Sequence, residues 1–583
     1  MFGVANVEIN HAHGGALLTA LLIEHGVEYV FGLPGGQTYA LYDGIDHRTE
    51  IHHVLVRDER TGVYAADGYA RATGKVGVCD ATVGQGAANL PAGLGEALGA
   101  SIPIVALVSA LPANLTLHQY RSAASQAMDQ VNLLAPVTKW SATVPSLEAM
   151  PALVRQAFQQ ATTGRPGPTV LYLPQDILDS KLPPQLLDLL KPKSSRSRFG
   201  NFPAFRAAPD PQDVSAAVQL LNDSKRPLII AGGGALISGA MSEIQEFADK
   251  QNCAVATSLS GKGTIAENHE LSVGVVGQMG TPAARATFEV ADLILFIGSK
   301  AGSGPTFGWT LPRSDQKIIQ IDIDPAEIGR SFENVTGIFA DARSGVAALN
   351  KSIEPKSRLE WKAEVAQFKS EWSAQRSAER SSDATPILPQ RVLGELQAAL
   401  SPDDLIVCDA SLASGWAGVY YEQVLPGKKV FMPRGLAGLG YSVPAAIGVA
   451  LANPGKRTVV LTGDGALGYS IGEFATILEL NLPITVIVLN NATLGWIRWY
   501  SHLNFGTSDQ GSDFADINFS AVAHGFGFEA ERVTNASDLG AAVKRVLESN
   551  KPSLLDIVTE TWTTPVTGHK VALAKKKSTG YGG

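Results

Sequence analysis

The segment Thr458–Asn491 constrains the fold of this chain more than any other stretch. It begins with the β-branched run Thr458–Thr462, which is typical of a buried strand, and continues through a glycine turn. The apolar residues of Ile471–Leu480 recur at helical spacing, and Ile484–Leu489 is a second run of buried-strand type. The segment therefore predicts a strand, loop, helix and parallel strand, the building block of a doubly wound α/β sheet.

The polar residues of this unit stand where its strands end. Asp464 lies between two glycines after the first strand, and Asn491 follows the second. Since parallel strands bring their carboxyl ends to one edge of a sheet, these side chains are expected to meet. Gly463 and Gly465 let the backbone approach phosphate oxygens, and Mg²⁺ prefers oxygen ligands such as Asp464, Asn491 and the backbone carbonyl of Thr493. The pattern predicts a magnesium diphosphate site, although a bare GDG is more often a simple turn.

Several motifs in the N-terminal third are similar to those of a known enzyme family. They are FGLPGG, a strand over Ile51–Val56 followed by Glu59, the helical sequence AADGYARATG and the loop 82–90. Together with GDG and the asparagine pair, they resemble thiamine diphosphate enzymes of the acetolactate synthase, pyruvate oxidase and benzaldehyde lyase family. The resemblance implies that Glu59 bonds the pyrimidine N1′ of the cofactor and favours the tautomer that deprotonates the thiazolium C2. On the residues alone, a surface glutamate paired with Arg57 or Arg60 explains Glu59 equally well.

The resemblance also implies further cofactor contacts. Leu439 stands where acetolactate synthases have methionine, and it is expected to wedge between the two cofactor rings and impose a V shape. The backbone of Gly438 is expected to accept the amino group of the pyrimidine. An ordinary core role is the alternative for Leu439. The implied cofactor residues are Glu59, Asn89, Ser411, Leu412, Ala413, Gly438, Leu439, Gly463, Asp464, Gly465, Ala466, Asn491, Thr493 and Gly495, with Asp464, Asn491 and Thr493 as metal ligands.

The substrate side departs from the acetolactate synthase pattern. Ser125-Gln126-Ala127 stands where that family has Phe-Gln-Glu, and the stretch 299–304 replaces a run that contains a substrate-binding arginine. The guanidinium fork suited to a 2-oxo acid carboxylate is therefore missing, and Lys300 offers a point charge instead. Gln37 stands where benzaldehyde lyase has a catalytic histidine, so Gln37 and Gln126 are predicted to be catalytic hydrogen-bond donors, with plain loop polarity as the alternative. The predicted pocket residues are Gly36, Gln37, Gln126, Trp496 and Tyr500.

The chain is predicted to form three α/β domains, each a doubly wound parallel sheet. A pyrimidine-binding domain is predicted over 1–183, a central domain over 209–355 and a diphosphate- and Mg-binding domain over 391–565, with a linker over Lys181–Ala208. In the resembled family the central domain binds FAD, ADP or no nucleotide. The strand and glycine turn of Pro227–Gly234 do not decide among these, since any doubly wound sheet needs such turns.

Composition excludes several classes of function. The 583 residues carry a net charge of −8 with scattered Lys and Arg, which argues against a nucleic-acid surface. No apolar run of membrane-spanning length and no basic leader with an apolar core appears, and the three cysteines lack metal or disulfide spacing. A cytoplasmic enzyme without a membrane partner is expected. The tail Lys570–Gly583 is predicted to be a flexible or closing segment.

The sequence as a whole predicts a thiamine diphosphate- and Mg-dependent carboligase or decarboxylase that acts on 2-oxo acids or aldehydes through a C2 ylid. A two-fold homodimer, or a homotetramer built from such dimers, is implied because Glu59 and Asp464 meet across a dimer interface in the resembled family. The alternatives are an acyloin lyase of the benzaldehyde lyase type, an FAD-using 2-oxo acid oxidase and a non-catalytic cofactor-binding protein. Intact Glu59, Asp464 and Asn491 argue against the last of these.

Overall fold

The computed structural model describes residues 11–118, 123–191, 196–506 and 511–566. The predicted closing tail lies outside the described residues. The chain divides into two compact units, Met1–Phe205 and Arg206–Gly583. Together the units contain three parallel six-stranded sheets with flanking helices, which confirms the predicted α/β class. None of the helices in the described ranges has both the length and the apolar character needed to cross a bilayer.

The first unit contains one sheet with the strand order β2-β1-β3-β4-β6-β5. Its apolar core lies between the sheet and the helices packed on it, as for Leu17 on the first helix and Phe158 on the seventh, both fully buried. The strands are β1 Tyr29–Leu33, β2 His52–Leu55, β3 Gly77–Ala81, β4 Ile104–Ala110, β5 Trp140–Thr143 and β6 Thr169–Pro174. The helices are α1 Gly14–Glu24, α2 Tyr39–Asp46, α3 Glu59–Thr73, α4 Gln85–Asn89, α5 Pro91–Ala100, α6 Gln130–Leu134, α7 Met150–Thr162 and α8 Gln175–Asp179.

Much of the predicted linker packs against this first unit. Leu182 and Ala204 are buried, and Leu186 and Phe199 lie against the apolar core of the unit. Apolar side chains in an otherwise Pro- and Ser-rich stretch explain this packing, since each is removed from water by the contact. The three predicted domain boundaries stay predictions.

The second unit begins with a sheet of strand order β9-β8-β7-β10-β11-β12. This is the order of dinucleotide-binding folds, with the crossover direction reversing between β7 and β10. The strands are β7 Pro227–Ala231, β8 Ala254–Thr257, β9 Ser272–Val275, β10 Leu293–Ile297, β11 Lys317–Asp322 and β12 Val335–Phe339. The helices are α9 Pro211–Asp223, α10 Gly233–Ser238, α11 Met241–Gln251, α12 Pro282–Val290, α13 Ala342–Ser352 and α14 Leu359–Arg380.

The third sheet, also in the second unit, has the strand order β14-β13-β15-β16-β18-β17. Counted from its own first strand, this order is the same as that of the first sheet. The strands are β13 Leu405–Cys408, β14 Val430–Phe431, β15 Thr458–Gly463, β16 Ile484–Asn490, β17 Glu529–Val533 and β18 Ser553–Val558. The helices are α15 Pro389–Ala399, α16 Leu412–Tyr420, α17 Ser442–Ala452, α18 Asp464–Leu467, α19 Phe474–Glu479, α20 Gly495–Phe505, α21 Phe519–Phe526 and α22 Ala536–Glu548.

The glycine turn within the segment Thr458–Asn491 differs from the prediction in one respect. Instead of a simple turn, the chain passes from β15 directly into the short helix α18, with Asp464 as its first residue. A carboxylate in the first turn of a helix is stabilised by the unpaired N–H groups there. The helix predicted over 471–480 is likewise divided, into a 3₁₀ turn at Ile471–Glu473 and α19.

Candidate functional site

A cleft opens at the carboxyl edge of the third sheet, where the crossover direction reverses between β13 and β15. Ligands of open α/β sheets bind at such points. Loops that follow β13, β15 and β16 line the cleft, together with Gly463 at the end of β15. The predicted cofactor residues that line it are Ser411, Leu412, Ala413, Leu439, Gly463, Asp464, Gly465, Ala466, Asn491, Thr493 and Gly495.

Asp464 is the buried charge of this cleft. Its side chain is 6% exposed, and its Oδ1 accepts the N–H of Gly465 at 2.9 Å. Within the described residues, its Oδ2 is buried without a hydrogen-bond partner. Burial raises the pKa of Asp464 to about 6, although backbone N–H groups oppose the shift. A buried carboxylate oxygen left unpaired at a cleft is suited to bind a cation, so the site fits a hard metal ion.

The two asparagines at the end of β16, Asn490 within the strand and Asn491 after it, have different roles. Asn490 is buried and donates to Asp556 Oδ1 at 2.9 Å, so it is structural. Asn491 lines the cleft beside Asp464, and its Oδ1 accepts the N–H of Thr493 at 3.3 Å. The carbonyl of Thr493 accepts the N–H of Gly495 at 2.9 Å, which leaves its second lone pair for a metal. The predicted ligand set is thus brought to one place.

Asp409 is a site residue that the sequence reasoning missed. It follows β13, it is fully buried, and it accepts the N–H groups of Ala410, Gly440 and Ser442 at 2.9, 3.0 and 2.9 Å. Burial raises its pKa. These bonds tie the loop after β13 to the loop that carries Leu439, which places Leu439 in the cleft wall. A charged residue at the end of an apolar strand is the sequence signal that could have identified it.

Glu59 lies in the first unit, at the start of α3. It is 5% exposed, and its Oε2 accepts the side-chain N–H of Asn89 at 2.8 Å. A Cβ on Gly86 would lie 2.9 Å from its Oε1, so helix α4 packs closely on the carboxylate. This burial argues against the surface glutamate that is the alternative on sequence alone.

Gln37 and Gln126, far apart in sequence, form one hydrogen-bonded chain with Thr82. Thr82 Oγ1 donates to Gln37 Oε1 at 3.0 Å, and Gln37 Nε2 donates to Gln126 Oε1 at 3.3 Å. The same Thr82 approaches Glu59, because its methyl lies 3.0 Å from the point where a Gly86 Cβ would sit. The Glu59 carboxylate and the two amides therefore gather in one part of the first unit. Thr82 was not predicted, since only the folded chain brings it to Gln37.

The remaining predicted pocket residues do not form one cluster in the described structure. A Cβ on Gly36 would meet no atom within 4 Å, so this loop position opens onto free space. Trp496 and Tyr500 lie on α20, which begins at the cleft edge, and Tyr500 is exposed. They are not among the residues that line the cleft, and neither is Gly438. The role of these residues stays a prediction.

The glycine turn of the central sheet is closed by the chain itself. The N–H of Gly234 donates to the carbonyl of Gly298 at 3.0 Å, and a Cβ on Gly232 would lie 2.1 Å from the same oxygen. Further along, Trp309 Nε1 donates to the carbonyl of Ala301 at 3.2 Å. A nucleotide phosphate seated at this turn would have to compete with the Gly298 carbonyl for the Gly234 N–H.

Comparisons with known proteins agree with the three sheets. The N-terminal TPP binding domain of the thiamine pyrophosphate enzymes matches residues 12–133, the central domain of these enzymes 214–349, and their C-terminal TPP binding domain 409–557. The fold and the cleft are those of an enzyme class that binds thiamine diphosphate.

Three curated relatives are similar over nearly their whole length. The probable acetolactate synthase large subunit of Methanococcus aeolicus is 33% identical over 93% of this chain and 91% of its own. The acetolactate synthase of Arthrospira platensis is 32% identical over 94% of each chain. The acetolactate synthase large subunit of Corynebacterium glutamicum is 31% identical over 94% of this chain and 86% of its own. The chain belongs to the thiamine diphosphate enzyme family and is an acetolactate synthase-like enzyme, which confirms the resemblance and rejects the non-catalytic alternative.

Proposed function

We propose that this thiamine diphosphate enzyme also requires Mg²⁺ and acts as a carboligase or decarboxylase on 2-oxo acids or aldehydes, with a substrate pocket altered from that of acetolactate synthase. The observation that carries the proposal is the grouping of Glu59 with the Thr82, Gln37 and Gln126 chain. A carboxylate suited to activate the cofactor thereby stands beside amides suited to hold a substrate oxygen.

The cofactor, when bound, supplies an electron sink for making or breaking a bond at a carbonyl carbon. The protein supplies binding, shape and proton control. Asp464, Asn491 and the carbonyl of Thr493 would hold the metal, and the N–H groups beside Gly463 and Gly465 would contact phosphate oxygens. Oδ2 of Asp464 is buried and has no hydrogen-bond partner within the described residues, which is unfavourable for the ionised group, so a cation at this oxygen would remove that penalty.

In the first unit, the buried carboxyl group of Glu59 would bond the pyrimidine ring of the cofactor. Asn89 would orient it through the 2.8 Å bond to Oε2. Leu439 would shape the cofactor by steric contact alone, which is why leucine can replace methionine. Gln126 is the last member of the amide chain among the described residues, and its amide N–H groups would donate to a substrate oxygen.

A second function, acyloin cleavage of the benzaldehyde lyase type, is favoured by one observation. The stretch 299–304 contains no arginine, so a bidentate clamp for a substrate carboxylate is absent from that segment. An uncharged aldehyde or acyloin would not need such a clamp. The Gly234 N–H donates to a carbonyl of the same chain, so it gives no support to the flavin-using alternative. A flavin-using oxidase would be a yellow protein with flavin absorbance.

We propose a homodimer or a dimer of dimers as the working assembly. Leu436, Tyr469 and Phe514 in the second unit are 61%, 55% and 40% exposed. They belong to the loops next to the cleft, because a Gly440 Cβ would approach Tyr469 and a Gly465 Cβ would approach Phe514. Exposed apolar side chains grouped at one place are typical of an interface. A cytoplasmic location is supported by the three buried free thiols.

The experiment is a substrate panel with product identification. Apoprotein is assayed with and without thiamine diphosphate and Mg²⁺ against pyruvate, glyoxylate, benzaldehyde and benzoin, while CO₂ release is followed and products are identified by NMR. Release of CO₂ with a hydroxyketone product supports the carboligase. Turnover of benzoin or aldehydes alone supports the lyase. If full activity persisted after removal of Mg²⁺ by a chelator, the metal assignment would be wrong.

A further inference from the structure

A cluster of three imidazoles surrounds one carboxylate in the first unit. His13 Nε2 lies 2.7 Å and His11 Nδ1 3.3 Å from Asp43 Oδ2, and His47 Nδ1 lies 4.0 Å from Asp43 Oδ1. The rings of His11 and His47 are 3.6 Å apart between centroids. One ligand atom each from His11, Asp43 and His47 lies within 4.8 Å of the others.

The spacing of these residues places their side chains together by elementary geometry. His11 and His13 are two positions apart in a segment that enters α1, and side chains at that spacing share one side of an extended chain. Asp43 and His47 are four positions apart along α2 and its cap, so they share one helix face. Two pairs of ligand-type residues therefore face each other.

We propose that His11, Asp43 and His47 bind one divalent transition-metal ion of the zinc, copper or nickel class. Imidazole nitrogen combined with a carboxylate is the ligand set these ions prefer, whereas Mg²⁺ prefers oxygen alone. The His11 and His47 side chains are 40% and 48% exposed, so an ion can reach them from solvent. Neighbouring ligands around zinc lie about 3.3 Å apart, from bonds of about 2.0–2.1 Å, and small ring rotations reach that spacing. Three protein ligands leave a coordination position for water.

His13 is a positioning residue for this site. Its Nδ1 accepts the N–H of Ala16 at 3.4 Å as the cap of α1, so its Nε2 carries the proton and donates to Asp43 at 2.7 Å. A histidine N–H bonded to a ligating carboxylate fixes the direction of that carboxylate. His47 Nδ1 lies 2.7 Å from the carbonyl of Asp43 and donates to it, which leaves its Nε2 lone pair for the metal. The bound ion would tie the segment before α1 to the end of α2, the helix that follows Gln37.

The test uses tag-free, full-length enzyme saturated with thiamine diphosphate and Mg²⁺. Zn²⁺ is titrated calorimetrically into the wild type, the double variant His11→Gln/His47→Gln and the control His524→Gln, which changes an exposed histidine elsewhere. We expect about one Zn²⁺ more per chain in the wild type and the control than in the double variant. His13→Gln should weaken binding by roughly 10-fold to 100-fold without changing the stoichiometry.

Cu²⁺ in place of Zn²⁺ gives an independent readout. The electron paramagnetic resonance spectrum of the wild type should show coupling to about two imidazole nitrogens, and that coupling should be lost in the double variant. Equal Zn²⁺ stoichiometry in wild type and double variant, or an unchanged Cu²⁺ spectrum, would overturn the proposal. Circular dichroism of each variant checks that the fold is retained, and a variant that unfolds is replaced by Asp43→Asn.

Discussion

Replacing Asp464 with Asn should stabilise the apoprotein while removing its metal site. Burial raises the pKa of Asp464 from 3.8 to about 6 in the folded chain. Each pH unit of this difference corresponds to about 1.4 kcal/mol, so keeping Asp464 ionised in the folded apoprotein costs about 3 kcal/mol. Asn has no charge to bury, and the variant escapes this cost.

The sign of the pH dependence follows from the raised pKa. Between about pH 4 and 6 the folded state holds a proton that the unfolded state has lost, so stability of the wild type falls as the pH rises through this window. Above pH 7 Asp464 is ionised in both states, so the loss of stability is complete and no longer changes with pH. The stabilisation by Asp464→Asn should therefore be about 3 kcal/mol at pH 8 and about half of that at pH 5.

The assay is denaturant unfolding of the apoproteins at pH 5 and pH 8, with the same measurement on Asp223→Asn as the control, since Asp223 is exposed. The decisive quantity is the difference between the stability gains at pH 5 and pH 8. Any change in hydrogen bonding by the amide is independent of pH and cancels in this difference. With thiamine diphosphate and Mg²⁺ the order should reverse, since the ligands stabilise the wild type alone. An equal gain by Asp464→Asn at both pH values would refute the reasoning that Asp464 is a desolvated carboxylate.

Three further changes probe the first unit and the cleft. Glu59→Gln should lower turnover by roughly 10²-fold to 10⁴-fold with cofactor binding retained, measured by steady-state kinetics and calorimetry; normal turnover would dismiss Glu59 as the activating group. Gln37→Ala and Gln126→Ala should be non-additive in kcat/KM by roughly 0.5–3 kcal/mol in a double-mutant cycle, whereas additive losses would mean that the amides act separately. Leu439→Ala should lower kcat roughly 100-fold through a misplaced cofactor, with Leu439→Met as the control that keeps activity.

The parts of the fold that sequence predicts best are those set by local patterns. The strand over Thr458–Gly463 and the strand over Ile484–Asn490 are each a short apolar run with a fixed end, and their parallel pairing brings Asp464 and Asn491 to one cleft. These predictions depend on the period of apolar residues and on the common edge of parallel strands. Both are properties of the local chain.

The parts that sequence could not predict depend on contacts between distant segments. Thr82 bonds Gln37 across 45 positions, and Asp409 bonds Ser442 across 33. Nothing in the residue types near Thr82 indicates its partner, because only the neighbouring ends of β1 and β3 bring the two loops together. The closing of the glycine turn at Gly234 by Gly298 is likewise a long-range backbone contact that a strand-and-glycine pattern does not reveal.

The first and third sheets share one strand order, and the candidate site residues use it in the same way. In the first sheet, Gln37 and Thr82 follow β1 and β3; in the third, Ser411 and Asp464 follow β13 and β15. Each pair stands where the crossover direction reverses, because the two adjacent strand ends diverge there and leave room for a ligand. The same topology thus supports two different arrangements: uncharged amides beside a buried carboxylate in the first sheet, and the buried carboxylate proposed to bind a metal in the cleft of the third sheet. Since the backbone plan is shared, the difference in function lies in the few side chains at these strand ends.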